Sequence, residues 1–94
     1  MTTSLDRPTQ YSKPGKFPTP KRGTEEAVKR LLSVTASIIE LTDEHGVREV
    51  GRQADISHST LSRTVNGEIW PSSITIARLE AAFDCTLWPH QSDA

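Results

Sequence analysis

The sequence has few of the residues that build large cores or cross-links. Its single cysteine, Cys85, excludes an internal disulfide. Aromatic residues make up 5% of the 94 residues and hydrophobic residues 34%, so part of the chain is expected to lie outside any core. No apolar run is long enough for a membrane span or a signal peptide. We therefore expect one small domain without a membrane segment, in a reducing cytosol.

Residue groupings that serve catalysis or ligand binding are also missing. The three histidines are scattered, no Cys/His spacing suits zinc, and no glycine-rich loop suits a nucleotide. The acidic group Glu40, Asp43 and Glu44 is most simply a solvated helix end. Cys85 is expected to be a small buried hydrophobic residue. The sequence thus predicts no enzyme, no metal, no cofactor and no small-molecule ligand.

Charge is distributed unevenly along a chain whose net charge is −1. Residues 1–23 hold five basic side chains and one acidic one, which gives a net charge of +4. Residues 24–94 hold six basic and eleven acidic side chains, which gives −5. A basic segment on an acidic body limits non-specific binding to DNA and still allows local positive contacts.

Residues 1–23 are predicted to be a disordered arm, because four prolines, two glycines and many Ser/Thr leave little to bury. One interpretation is a solvated tail. The other is a DNA arm that follows the backbone or enters a minor groove, its cations spaced by stiff prolines. The cations of this arm are Lys13, Lys16, Lys21 and Arg22.

Apolar residues at helical spacing predict a first helix from Thr24 to about Glu44, with Thr24 as its cap. A break near Ser33 into two shorter helices is the alternative. The apolar surface from Val28 to Val34 exceeds one face of a helix. It is either core or a dimer contact.

Residues 47–67 are predicted to form two short helices joined by a tight corner. The first runs from about Val47 to Ala54. The corner is Asp55-Ile56, where Asp tolerates a left-handed backbone and Ile points inward. Ser57 is a good N-cap for the second helix, which ends at Asn66-Gly67.

Gly51 and Leu61 are expected to face each other where the two helices cross, because a glycine within a helix indicates a close approach. This arrangement is that of a helix-turn-helix. The outward face of the second helix is short and polar, which suits a major groove. Its residues are His58, Ser59, Ser62, Arg63 and Asn66.

A further helix is predicted after Pro71, which blocks helix continuation, with Ser72 or Ser73 as its cap. Its inward residues are Ile76, Leu79, Ala82 and Phe83. Trp70 and Trp88 are expected to pack against the body or to form a self-association patch.

Residues 47 to about 87 resemble the Cro/C1-type helix-turn-helix family of phage repressors and bacterial regulators. The resemblance rests on I-S-H-S-T-L-S-R-T-V-N-G (56–67), on Gly67-x-x-x-Pro71-Ser72-x-x-Thr75, and on I-T-I-A-R-L-E-A-A-F (74–83). It covers a little under half of the chain. Thr64 departs from the pattern, since the family prefers a larger apolar residue there.

The resemblance implies that the second helix lies in the major groove of DNA. Base-reading residues would then be His58, Ser59, Ser62 and Arg63, with Arg63 bonded to guanine or, alternatively, to a phosphate. Backbone contacts would come from the edges of the motif: Val47, Arg48, Arg52, Ser57, Thr60, Asn66 and Gly67.

The sequence therefore predicts an all-α bundle of four to five helices, resembling the lambda repressor domain. Its expected parts are an arm (1–23), a helix-turn-helix DNA-binding domain (24–89) and a tail (90–94). The expected function is a cytoplasmic transcriptional regulator of the repressor type, from a bacterium or phage, that binds double-stranded DNA as a homodimer or a monomer. An antitoxin or a protein-interaction adaptor is the alternative.

Overall fold

Four α-helices make up the regular structure of residues 5–87, the part of the chain that the computed structural model describes. They are α1 (Glu26–His45), α2 (Val47–Ala54), α3 (His58–Val65) and α4 (Ser73–Phe83). A short 3-10 turn, Pro8–Tyr11, precedes them. The predicted all-α fold is confirmed.

The first helix, α1, is continuous, so the alternative of a break near Ser33 is wrong. It also begins two residues later than predicted, because the Thr24 hydroxyl donates to the Lys21 carbonyl at 2.7 Å instead of capping the helix. Gly46, with φ of +87°, ends α1 and starts α2. Val28 and Val34, the two ends of the apolar surface predicted on this helix, are both buried. This supports the core interpretation.

The core draws side chains from all four helices, and α2 packs against each of the other three. Leu61 is its contribution from α3 and is fully buried. Thr64 is fully buried beside it, and its hydroxyl donates to the Thr60 carbonyl at 2.8 Å. Thr64 thus fills an apolar position without leaving a polar atom unpaired. The core residues are Val34, Ile38, Val50, Ala54, Ile56, Leu61, Ile76, Leu79 and Leu87.

The corner between α2 and α3 has the predicted geometry. Asp55 adopts the left-handed conformation (φ 57°, ψ 48°), and Ile56 turns inward and is buried. A Cβ added to Gly51 would lie 2.7 Å from the Ile56 carbonyl oxygen and 3.9 Å from a Leu61 methyl. The close approach is confirmed, and its tightest partner is the corner backbone.

Both ends of α3 are capped as predicted. The Ser57 hydroxyl accepts from the Thr60 amide at 3.1 Å. At the other end Gly67 has φ of +77°, its amide donates to Thr64, and the Glu68 amide donates to Arg63. This is the Schellman pattern, in which a left-handed glycine closes a helix.

Residues 5–23 contain no regular element longer than the turn Pro8–Tyr11, and they contact the domain. The Asp6 carbonyl accepts from the Trp70 indole at 2.8 Å, and the Tyr11 and Trp70 rings lie 5.9 Å apart. The Thr9 amide donates to the Gly67 carbonyl at 3.4 Å. Trp88 and the predicted tail 90–94 lie outside the described residues.

The variant Gly51→Ala tests the close approach at the corner. We expect it to lower the free energy of unfolding by about 1–3 kcal/mol, because the added methyl group meets a backbone oxygen that cannot rotate away. The better helix propensity of Ala, about 1 kcal/mol, offsets only part of this. Urea unfolding measures the difference. Arg48→Ala, at an exposed position of the same helix, is the control. Equal or greater stability of Gly51→Ala would contradict the packing.

Candidate nucleic-acid interface

The outward face of α3 presents the residues that the sequence predicted to read bases. His58, Ser59 and Arg63 are exposed, and Ser62 is half-buried. Ser62 and Arg63 lie three and four residues after Ser59, so both are neighbours of Ser59 on one side of the helix. His58 lies beside them at the helix start. Because Leu61 and Thr64 fix the opposite side in the core, the helix cannot rotate without breaking that packing.

Arg63 points to solvent but has an acidic neighbour. Its side chain is 55% exposed, and its Nε lies 3.7 Å from a carboxylate oxygen of Glu68. That separation is too long for a strong hydrogen bond, so the guanidinium is attracted rather than locked. Arg63 can leave this carboxylate for a better partner at little cost.

The hydroxyls at the two ends of this face are engaged locally. Ser57 Oγ donates to Thr60 Oγ1 at 2.8 Å, in addition to accepting from the Thr60 amide. Asn66 Nδ2 lies 3.5 Å from Ser62 Oγ and remains exposed. Ser57 therefore holds the helix start in place, and Asn66 keeps donors available to a ligand.

The start of α2 supplies unpaired backbone donors. Gly46 provides no side-chain cap, so the amides of residues 47–49 have no acceptor within the helix, and the Val50 amide is the first to pair, with the Gly46 carbonyl at 3.0 Å. Such a helix end carries a partial positive charge that suits a phosphate. Arg48 is exposed next to it.

A helix-turn-helix family model matches residues 47–87, from the first residue of α2 to the last core residue, Leu87. Residues 47–87, a little under half of the chain, are therefore similar to the helix-turn-helix family. The predicted Cro/C1-type resemblance is confirmed, and the match supports a DNA-binding transcription regulator. Neither the curated proteins nor the solved structures contain a significant match to the chain.

Within the helix-turn-helix domain, Arg52 is paired in a way that was not predicted. Its guanidinium donates twice to the Glu49 carboxylate, and the Gln53 amide donates to the same carboxylate at 2.6 Å. The hydrogen bond from Arg52, and then that from Gln53, lower the pKa of Glu49 from 4.5 to about 2. Arg52 therefore presents little net charge to a ligand unless it leaves Glu49.

Gly67 differs from its expected role at the DNA backbone. It is buried, its amide donates to Thr64, and Thr9 and the Phe17 ring cover the position of its missing Cβ. No free amide is left there for a phosphate. Of the two residues expected at this end of α3, Asn66 is the one with exposed polar atoms.

The N-terminal cations lie on a folded-back segment. Lys13, Lys16, Lys21 and Arg22 are all exposed. Residues 12 and 20 pair as an isolated bridge, and the Lys13 amide donates to Thr19 at 2.8 Å. The loop between them carries Phe17, whose ring packs on Gly67.

Arg78 is a functional candidate that the sequence analysis missed. From α4 it donates to the Asp55 carbonyl at 3.2 Å and so braces the corner that orients α3. The two residues are 23 positions apart and nothing in the local pattern connects them. An exposed arginine on a predicted helix was the only signal.

Other predicted features carry no further site. Cys85 is only partly buried, and burial is the main cause that raises the pKa of its thiol. Among residues 5–87, no three His, Cys, Asp or Glu side chains come together as metal ligands would. No helix in the same span has the length and apolar character needed to cross a membrane.

The pairing of Glu49 with Arg52 has a measurable consequence. We expect Arg52→Ala to return the pKa of Glu49 from about 2 toward 4.5. Because the folded-state pKa is depressed, the stability that this pair contributes is present above about pH 4.5 and is lost as the pH falls toward 2. Carboxyl-detected NMR titration measures the pKa. Gln53→Ala is the comparison and should give a smaller shift. An unchanged Glu49 pKa in Arg52→Ala would refute the assignment.

Proposed function

We propose that the protein is a transcriptional repressor that binds duplex DNA sequence-specifically, with α3 in the major groove. One observation carries this proposal. The inward side of α3 is fixed in the core by Leu61 and Thr64, and its outward side exposes short polar side chains and one arginine. A short helix with small polar side chains can approach base edges closely.

Arg63 is the main base-reading residue of this proposal. Its planar fork can donate to O6 and N7 of guanine together, a contact worth about 1–3 kcal/mol of discrimination. His58 and Ser59, at the helix start, are placed to meet neighbouring bases. Ser62 contributes a hydroxyl and allows close approach. The weak attraction of Glu68 is exchanged for the base.

Backbone contacts flank the reading helix. The proposed phosphate contacts are made by the amides at Val47 and by Arg48 at the start of α2, with Arg52 joining when it leaves Glu49. Ser57, Thr60 and Asn66 contribute polar groups at the edges of α3. Exposed cations of the N-terminal segment add charge that the acidic domain lacks, and these are Lys13, Lys16, Lys21 and Arg22.

Blocking polymerase at an operator is the simplest mechanism for such a domain. Resemblance to Cro/C1-type regulators favours a phage or mobile-element repressor in a bacterial cytoplasm. Binding as a dimer to a palindrome and binding as a monomer are both compatible with the chain. Footprinting distinguishes the two modes, because a dimer protects two half-sites and a monomer protects one.

An antitoxin or adaptor that holds a protein is the second candidate. The acidic net charge of residues 24–94 favours it, because the phosphate backbone repels such a body. The exposed polar face of α3 argues for DNA, since protein-binding cores are enriched in aromatic residues. Failure of any duplex to be retained, together with a co-purifying protein, would decide for the adaptor.

Substitutions at Arg63 test the base-reading role. Selection from random duplexes gives the preferred site. Fluorescence anisotropy then measures the affinity for that site and for variants of it in which each guanine is replaced in turn. We expect Arg63→Ala to remove about 1–3 kcal/mol of discrimination at one position. Arg63→Lys keeps the charge and loses the fork, so it should lose the same discrimination. If Arg63→Ala weakens binding to both sites equally, Arg63 contacts a phosphate instead.

Glu68 gives an independent test of the same surface. Glu68→Gln removes a negative charge beside Arg63, so we expect tighter binding to duplex DNA, by about 0.2–1 kcal/mol as for an exposed ion pair. The same anisotropy titration measures it. Glu40→Gln, on the exposed acidic side of α1, is the charge-matched control and should change affinity less. Equal gains from both variants would show a general charge effect and not a local one.

A further inference from the structure

We propose that residues 12–20 form a brace that docks on the loop after α3 and presents Lys13 and Lys16 to DNA phosphates. This inference rests on the proposed DNA binding and deepens it. It assigns a preformed phosphate-binding surface, whereas the sequence suggested a flexible arm. It also divides the N-terminal cations into two pairs. The positions of Lys13 and Lys16 depend on docking of the brace, and those of Lys21 and Arg22 do not.

The brace is closed by its own backbone. Ser12 and Pro20 form the bridge at its base. Inside the loop, the Lys13 amide donates to Thr19, the Lys16 amide to Lys13 at 2.9 Å, and the Thr19 amide to Lys16 at 2.7 Å. Lys13 and Lys16 therefore both lie in a closed loop of defined shape.

Phe17 joins this loop to the end of α3. Two ring carbons of Phe17 lie 3.1 Å from the position of a Cβ on Gly67, and Thr9 Cγ2 lies still closer. A side chain at position 67 would displace both, so glycine is needed for the docking as well as for its positive φ. Lys16 directly precedes Phe17, so the contact of Phe17 with Gly67 holds the Lys16 backbone within about one side-chain length of the residue that follows the C-cap of α3.

Two arginines around α3 have carboxylate neighbours, whereas the lysines of the brace have none in the described part of the chain. Arg63 is attracted by Glu68, and Arg52 is paired with Glu49. Among residues 5–87, the ion pairs of the structure involve neither Lys13 nor Lys16. Two exposed lysines on a loop that contacts Gly67, just after α3, can therefore bind phosphates without first giving up a carboxylate.

Lys21 and Arg22 belong to a different part of the segment. The Lys21 amide donates to Tyr11, and the Lys21 carbonyl accepts from Thr24, just before α1. Their position is set by α1 and by the Tyr11 region, without Phe17. Loss of the Phe17 contact should leave them where they are.

A double-mutant cycle on the full chain tests the brace. Binding to a duplex of about three helical turns is measured over a range of salt concentrations, using the selected site. We expect Lys13→Ala with Lys16→Ala to reduce the slope of log affinity against log salt by about 2. Phe17→Ala should produce most of this loss, and adding the two lysine substitutions to it should then change little.

Two controls make the result specific. Lys21→Ala with Arg22→Ala removes the same charge, and its effect, whatever its size, should add fully to that of Phe17→Ala. Phe17→Leu keeps an apolar contact on Gly67 and should restore most of the slope. Circular dichroism checks that each variant remains helical.

Hydrogen exchange in the absence of DNA reports docking directly. We expect protected Lys13 and Thr19 amides in the wild type and faster exchange in Phe17→Ala. Full additivity of Phe17→Ala with the lysine pair, or unprotected loop amides in the wild type, overturns the brace and leaves DNA binding intact. A wild-type chain that binds no duplex overturns the proposed function, and the brace with it.

Discussion

The contact between Gly51 and the Ile56 carbonyl is the constraint on which the rest of the structure depends. A separation of 2.7 Å from the position of a Cβ leaves no room for any side chain at residue 51. It lets the left-handed turn at Asp55 bring α3 directly against α2, with Leu61 in the core. Once Leu61 is buried, helical geometry alone decides which side chains face outward. Arg78 fixes the same corner from α4.

Arginines on the proposed DNA surface form weak ion pairs with neighbouring carboxylates. Arg52 is paired with Glu49, and Arg63 is attracted by Glu68, so two of the arginines on the proposed DNA surface each have a neighbouring carboxylate. Exposed pairs of this kind are weak, and DNA phosphates or guanine can replace the carboxylates. In the proposed complex, an acidic domain with such pairs would bind DNA only where several contacts form together. That property favours specific over non-specific binding.

Local features of the fold could be predicted from the sequence, and long-range ones could not. The bounds of α2, the left-handed Asp55 and the Ser57 cap each follow from a few neighbouring residues, and all three are present. The contact of Phe17 with Gly67 and that of Arg78 with Asp55 join distant positions. They depend on how the helices pack, which no local pattern encodes. The exposed positions of His58 and Arg63 followed from helical period once Leu61 was placed inward. Their roles on DNA stay predictions.

The most direct test of a fixed, outward-facing α3 is amide chemical-shift mapping of the labelled protein with a duplex obtained by selection from random sequences. The account predicts that the largest changes cluster in residues 57–66, with a second group at the start of α2. Amide changes confined to the exposed acidic side of α1, with residues 57–66 unaffected, would contradict it.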